Sequence, residues 1–215
     1  MFNNVRYQKE QNVLYGFLNG MKFNKSISAF NLAKQAHNGL RRDGSPEFSH
    51  QLSIALKLAR NCKRLTNPDE VIALGLLHDS VEDSKIDIST IDKKCGEIVA
   101  RGTELLSKKY FDTRRSDEEY MLRLALDINC SPVKGEDRIH NTSSMHNHGG
   151  MTLEKQKKYI KETEKLIIPM LRKARREFWE QSDYYIDQIR ELETILKFSK
   201  IIIAQQDELR RIRNA

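Results

Sequence analysis

The sequence predicts an all-α protein, on three observations. Proline and glycine are scarce, 4 and 10 of 215 residues. Apolar residues recur at i, i+3, i+4 and i+7, the period of one buried helix face. Turn signals cut this pattern into helix-length pieces, and no stretch alternates as a strand should.

Along the chain, Val13, Phe17 and Leu18 mark a first helix, read as an N-terminal extension over residues 1–27. Leu52, Ile54, Ala55 and Leu58 mark another. Asn67 before Pro68 is the pattern of an N-cap with proline in the first turn, and opens the helix carrying Val71, Ile72, Leu74, Leu76 and Leu77. Turns are expected at Arg42-Asp43-Gly44-Ser45-Pro46, Thr66-Asn67-Pro68-Asp69, Ser131-Pro132 and His148-Gly149-Gly150. Beyond Gly150 the composition shifts to two charged, periodically apolar stretches, Thr152–Arg176 and Tyr184–Arg213, read as long amphipathic helices.

Several classes are disfavoured. Nothing approaches the ~18 consecutive apolar residues of a spanning helix, and the N-terminus lacks a secretory pattern. The chain is therefore expected in the cytoplasm, with no membrane partner. Cys62, Cys95 and Cys130 are odd in number and far apart, which suggests packing residues and neither a disulfide framework nor a thiolate zinc site. The net charge of +7 favours anionic partners. Glu154, Glu162, Glu164, Glu177 and Glu180 interrupt the basic runs and argue against nucleic acid, leaving a solvated face as the simpler reading.

The chemistry concentrates in a few places. His78-Asp79 follows an apolar run and precedes Glu82-Asp83, so that on a helix His78 and Glu82, and Asp79 and Asp83, stack at i, i+4. His50 lies 28 residues before His78, after the turn that carries Arg41 and Arg42. Asp137 lies 58 residues after Asp79, sharing a helix face with Lys134 and Asn141. Two His and two Asp form a nitrogen-and-oxygen set suited to Mn, Fe, Zn or Mg.

This ordered set resembles the HD-type hydrolase domain of the RelA/SpoT family, and more narrowly the small alarmone hydrolases. The motifs are Ala36-His37 to Asp43-Gly44, His50, Leu76-Leu77-His78-Asp79-Ser80-Val81-Glu82-Asp83, and Val133-Lys134 to Asp137-Arg138-Ile139-His140-Asn141. The resemblance covers residues 28–195, leaving 196–215 as a helical tail. It implies an HD helical bundle and a 3′-pyrophosphohydrolase that converts guanosine tetra- and pentaphosphate, (p)ppGpp, to GDP or GTP with Mn²⁺. His50, His78, Asp79 and Asp137 match the metal ligands, and Glu82 and Asp83 the acidic pair acting on water. Arg41, Arg42, Lys134, Arg138 and Asn141 match nucleotide and phosphate contacts.

The chain departs from the family at Glu47, Gln51 and Glu136, and the two glutamates bring negative charge toward an anionic substrate. Gly135 inside a helix marks a kink or a close approach. His146 and His148 read as loop histidines. An adenosine alarmone, NADPH or a nucleotide monoester is the alternative substrate. A non-catalytic nucleotide- or partner-binding antitoxin is the alternative to an enzyme. The long C-terminal helices permit a homodimer.

Overall fold

The computed structural model describes residues 4–41, 44–82, 86–108, 116–146 and 151–214, and among these it is all-α, without a strand. A single antiparallel bridge joins Leu40 to Pro46. The helices are α1 (Asn4–Met21), α2 (Asn24–Ala36), α3 (Phe48–Arg60), α4 (Pro68–Leu77), α5 (Ile88–Cys95), α6 (Glu97–Leu106), α7 (Asp117–Ala125), α8 (Cys130–Ser144), α9 (Leu153–Glu162), α10 (Ile168–Glu177) and α11 (Ser182–Asn214). A five-residue π-helical segment, Thr163–Ile167, joins α9 to α10, so the first long charged stretch runs as one nearly continuous helix. No helix among the described residues is long and apolar enough to cross a membrane.

The centre of the bundle is α4. Its residues from Val71 to Leu77 are all buried, which is why it is apolar all round and not on one face alone. It packs against α2, α3, α6 and α8. Pro68 sits in its first turn as expected, but the Asn67 side chain does not cap it. The Asn67 amide instead donates to Asn129 Oδ1 at 2.9 Å. Gly75 lets α3 come close, since a Cβ there would lie 2.6 Å from Leu58 Cδ1. That close approach sets the start of α3 beside the end of α4, where the chemistry lies.

One turn expectation and one helix stripe need correction. Ser131-Pro132 is not a turn but lies in the first turn of α8, where a proline lacks only a donor that would have had no intrahelical acceptor. In α1, Val13 is 63% exposed while Leu14 and Leu18 are fully buried, so the core-facing stripe runs one residue later than read. The expected extension and tail boundaries at 27 and 195 fall inside α2 and α11. Cys95 and Cys130 are buried, Cys62 is half-buried, and all three are free thiols.

Candidate active site

His50 enters the site from the first turn of α3, and the residue is 3% exposed. His78 is the residue at which α4 ends. It keeps helical backbone angles, and its Nδ1 lies 3.0 Å from the Gly75 carbonyl, the acceptor of the Nδ1–H. From His78 to Glu82 the chain runs as turns and not as the continuous helix that would stack His78 with Glu82. Asp137 comes from the middle of α8.

Four side chains converge. His50 Nε2 lies 3.4 Å from Asp137 Oδ1 and 3.7 Å from Asp79 Oδ2. His78 Nε2 lies 3.0 Å from Asp79 Oδ2 and 3.7 Å from Asp137 Oδ1. The two imidazoles meet edge to face with centroids 5.2 Å apart. His50, His78 and Asp137 are buried and present ligand atoms within 4.8 Å of one another, while the Asp79 side chain is 39% exposed and forms the open rim. Despite its short approach to Asp79, His78 Nε2 is buried with no aligned hydrogen-bond partner. Leaving such an atom unpaired is costly. A divalent cation between these four groups would satisfy it, and two imidazoles with two carboxylates suit Mn, Fe or Zn.

The electrostatics agree. Burial opposes a charge on His78, but Asp79 and Asp137 outweigh it and raise the imidazole to about 9. Burial opposes charge on Asp137 too, yet Lys134, His50 and His78 hold it well below the usual carboxylate range. Asp79 is likewise lowered, with His78 overcoming burial. Without a metal the cluster thus carries a proton on His78 that a cation would displace.

The helix-face reading of α8 holds for three residues. Lys134 Nζ donates to Asp137 Oδ2 at 3.2 Å and Asn141 Nδ2 to Asp137 Oδ1 at 2.6 Å. Burial works against the Lys134 charge, but Asp137 outweighs it and raises the ammonium above its ordinary value. Arg138 is a correction. One residue on from Asp137, it turns away to α9, where Nη2 donates to Glu162 Oε1 at 2.6 Å and the guanidinium lies 3.9 Å from the Tyr159 ring centroid. It ties α8 to α9, while its charge also bears on Lys134.

Glu136 is also corrected. It is 1% exposed and faces α11, accepting from Tyr184 Oη at 2.7 Å and Gln188 Nε2 at 2.9 Å and pairing with Lys57 Nζ at 3.0 Å. Its charge is absorbed by α3 and α11 instead of facing substrate. Glu47 approaches His37 Nδ1 at 4.0 Å. Gln51 is buried, its Nε2 3.5 Å from the same nitrogen. His37 Nε2 in turn meets Ser80 Oγ at 3.1 Å, bracing the turn after His78-Asp79.

Glu82 is exposed, close enough to Tyr120 for its charge to bear on the phenol. Arg41 is half-buried at the turn before α3, and its charge reaches His140. Arg42, Asp83 and His148 lie outside the described residues. His146 is half-buried and joins no metal-ligand cluster among those described.

One residue was given no role by sequence reasoning. His140, three residues after Asp137 on the same face of α8, sets its Nδ1 2.9 Å from His50 Nδ1. Burial, reinforced by the charges of His50 and Arg41, lowers His140 to about 3, so it is neutral. If His50 Nε2 faces a cation, its Nδ1–H points at His140 Nδ1, just as the Nδ1–H of His78 points at Gly75 O. Both imidazoles are thereby oriented from behind. The i, i+3 spacing that relates Lys134 to Asp137 also flags His140.

The chain has curated relatives, some named as 3′-pyrophosphohydrolases and others as GTP diphosphokinases or pyrophosphokinases. It is 33% identical over 151 residues to the probable guanosine-3′,5′-bis(diphosphate) 3′-pyrophosphohydrolase of Synechocystis sp., covering 66% of this chain and 19% of that protein. The guanosine-3′,5′-bis(diphosphate) 3′-pyrophosphohydrolase of Aquifex aeolicus is 32% identical over 148 residues, 66% of this chain and 20% of its own. The chain belongs to the RelA/SpoT family. A third member, the probable GTP diphosphokinase RSH2, chloroplastic, of Oryza sativa, is 30% identical over 158 residues, 67% of this chain and 21% of its own. This RelA/SpoT chain thus spans about a fifth of the length of the relatives it matches. No family model matches it.

Proposed function

We propose that this RelA/SpoT chain is a metal-dependent 3′-pyrophosphohydrolase acting on (p)ppGpp, with His50, His78, Asp79 and Asp137 as ligands of one divalent cation, Mn²⁺ being the first choice. The observation that carries the reading is the convergence of buried His50, His78 and Asp137, with Asp79 at the rim, about His78 Nε2, which makes no aligned hydrogen bond. The relatives named as 3′-pyrophosphohydrolases support the substrate.

A bound cation supplies a bound water of lowered pKa and a polarised phosphoryl oxygen. The protein's own groups do the rest. Asp79, at the open rim, leaves the substrate side accessible, while the buried imidazoles fix the ligand geometry. Lys134 and Asn141 hold Asp137 to one orientation and bring positive charge and amide donors beside the site for phosphate oxygens. Arg41 adds a guanidinium fork from the turn before α3. Glu82, exposed after the histidine turn, is our choice for the base that takes a proton from the attacking water, with Asp83 as the second acid of the pair. Water adds across the bond between the ribose 3′ oxygen and its pyrophosphate, leaving GDP or GTP with a 3′ hydroxyl, and pyrophosphate.

The test is turnover of ppGpp, pppGpp, ppApp and NADPH with Mn²⁺, products read by anion-exchange chromatography, for wild type and the His78→Ala/Asp79→Ala variant. GDP or GTP with pyrophosphate from the guanosine substrates alone, abolished in the variant, is expected. Turnover of NADPH or ppApp in preference overturns the substrate, and no turnover of any of the four overturns the hydrolase reading.

A further inference from the structure

Two turns border the metal-ligand cluster, and one buried side chain touches both. The first turn leaves α2 and returns as α3. It is a short hairpin that carries Arg41, held by the Leu40–Pro46 bridge, by Arg41 N–H donating to Ser45 O at 2.8 Å and by Glu47 N–H donating to Gly39 O at 2.9 Å. The second turn follows His78-Asp79 and carries Glu82. Its base is Ser80, whose N–H donates to Leu77 O at 2.9 Å and whose carbonyl accepts from Ile86 N–H at 3.2 Å.

The shared side chain is His37, the residue at which α2 ends, and its imidazole is fully buried. Nε2 lies 3.1 Å from Oγ of Ser80, 43 residues on, and Ser80 is 0% exposed. One hydrogen bond forms there, whichever of the two atoms supplies the proton. Nδ1 faces the hairpin, with Glu47 Oε2 4.0 Å away and Gln51 Nε2 at 3.5 Å. The Glu47 carboxylate lies over the start of the hairpin, since a Cβ at Gly39 would come within 3.3 Å of Oε2. Glu47 and Gln51 are two of the three positions at which the chain departs from its family. Both stand at the same nitrogen of the same ring.

We infer that His37 is a positioning residue that ties the arginine hairpin to the Glu82 turn, so that Arg41 and Glu82 keep one spacing across the metal-ligand cluster. The inference rests on the hydrolase reading, in which a phosphate ester and an attacking water occupy the space between those two side chains. His37 itself touches neither, because one nitrogen is engaged by Ser80 and the other faces Glu47 and Gln51. A ring kept only for packing gains nothing from two buried nitrogens, which have to be matched by polar partners. Here the partners belong to the two turns. Ser80 stands one residue after Asp79 and two before Glu82, so a shift at Ser80 moves a metal ligand and the base together. Misplacement by about 1 Å costs on the order of 100-fold in rate.

Amide hydrogen exchange on the metal-free chain, with ppGpp kinetics at saturating Mn²⁺, tests this on Ser80→Ala, His37→Phe and His37→Gln. Ser80→Ala cuts the tie in the Glu82 turn, yet is expected to speed exchange at the Arg41 and Glu47 amides of the hairpin as well as at Ile86, and to lower kcat about tenfold or more. His37→Phe fills the same space without a polar atom and should match it in both readouts. Adding Ser80→Ala to His37→Phe should then change kcat by less than about twofold, because the bond is already gone. His37→Gln, whose amide can still meet Ser80 Oγ, should recover part of the rate. Faster exchange confined to the turn that holds the altered residue overturns the tie. A His37→Phe protein that melts lower but keeps the wild-type kcat and KM makes His37 a packing residue and overturns the positioning role; if that variant does not fold, Ser80→Ala decides alone. A wild type that turns over no guanosine substrate overturns the hydrolase reading, and in that protein exchange that spreads between the turns still upholds the tie.

Discussion

Gly135→Ala sets two physical effects of opposite sign against each other. Helix propensity alone says that alanine in the middle of α8 gains about 1 kcal/mol over glycine. Packing says otherwise. A Cβ at 135 would lie 2.7 Å from both Nε2 and Oε1 of Gln188, closer than real contacts allow. Gln188 is 1% exposed and cannot swing aside freely, because its amide donates to the Pro132 carbonyl at 2.8 Å and to Glu136 Oε1 at 2.9 Å. Making room costs these two buried hydrogen bonds, about 1 kcal/mol each net, plus overpacking strain of about 1–3 kcal/mol. Against the propensity gain, the net is a loss of roughly 2–4 kcal/mol. For a chain of this size that corresponds to a melting temperature lower by about 4–16 °C. Thermal and urea unfolding followed by circular dichroism give the number, and the double variant with Gln188→Ala should lose less than the sum of the single changes. A Gly135→Ala protein as stable as wild type, or more so, refutes the close-approach reading of this glycine.

Other outcomes follow from the site. His140→Leu should keep the metal-free fold but weaken Mn²⁺ binding about 10- to 100-fold by calorimetry, because His50 loses its orienting partner; His140→Asn, which keeps an acceptor, should recover part of it. Arg138→Met should lower stability by on the order of 1–3 kcal/mol through the lost Glu162 and Tyr159 contacts while leaving KM for substrate unchanged, and a raised KM with unchanged stability would return Arg138 to the phosphate site. The metal-free protein should be most stable near pH 6.5. His78, raised to about 9, gives stability present below its ordinary value of 6.5 and lost as pH rises through 9, on the order of 3 kcal/mol. His140, lowered to about 3, and His50, also lowered, give stability present above 6.5 and lost as pH falls below it. A metal-free melting temperature that climbs steadily from pH 6.5 to 9 contradicts this.

The legible parts of the molecule are those that one helix decides by itself. Lys134, Asp137 and Asn141 share a face because spacing on a helix fixes direction, and the structure joins them by hydrogen bonds. The end of α4 was harder to read. No glycine or asparagine follows Leu77, so the apolar period gives no warning that His78 closes the helix and that Glu82 leaves its column. Glu136 and Arg138 flank Asp137 and point away from it, each about 100° round the helix. Which neighbour waits in those directions is a tertiary fact, supplied by Tyr184 and Gln188 from α11 and by Glu162 from α9. The His50–His140 contact joins residues 90 apart, and no local pattern encodes it.

The most direct measurement is hydrolysis of ppGpp by metal-stripped protein titrated with Mn²⁺, with GDP and pyrophosphate quantified for wild type and Asp137→Asn. Equal amounts of the two products, rising with metal occupancy in wild type and falling by orders of magnitude in the variant at the same metal concentration, is the predicted result. Hydrolysis that is indifferent to metal, or that survives Asp137→Asn unchanged, would contradict the site, and wild-type protein that binds Mn²⁺ yet leaves ppGpp intact would contradict the activity.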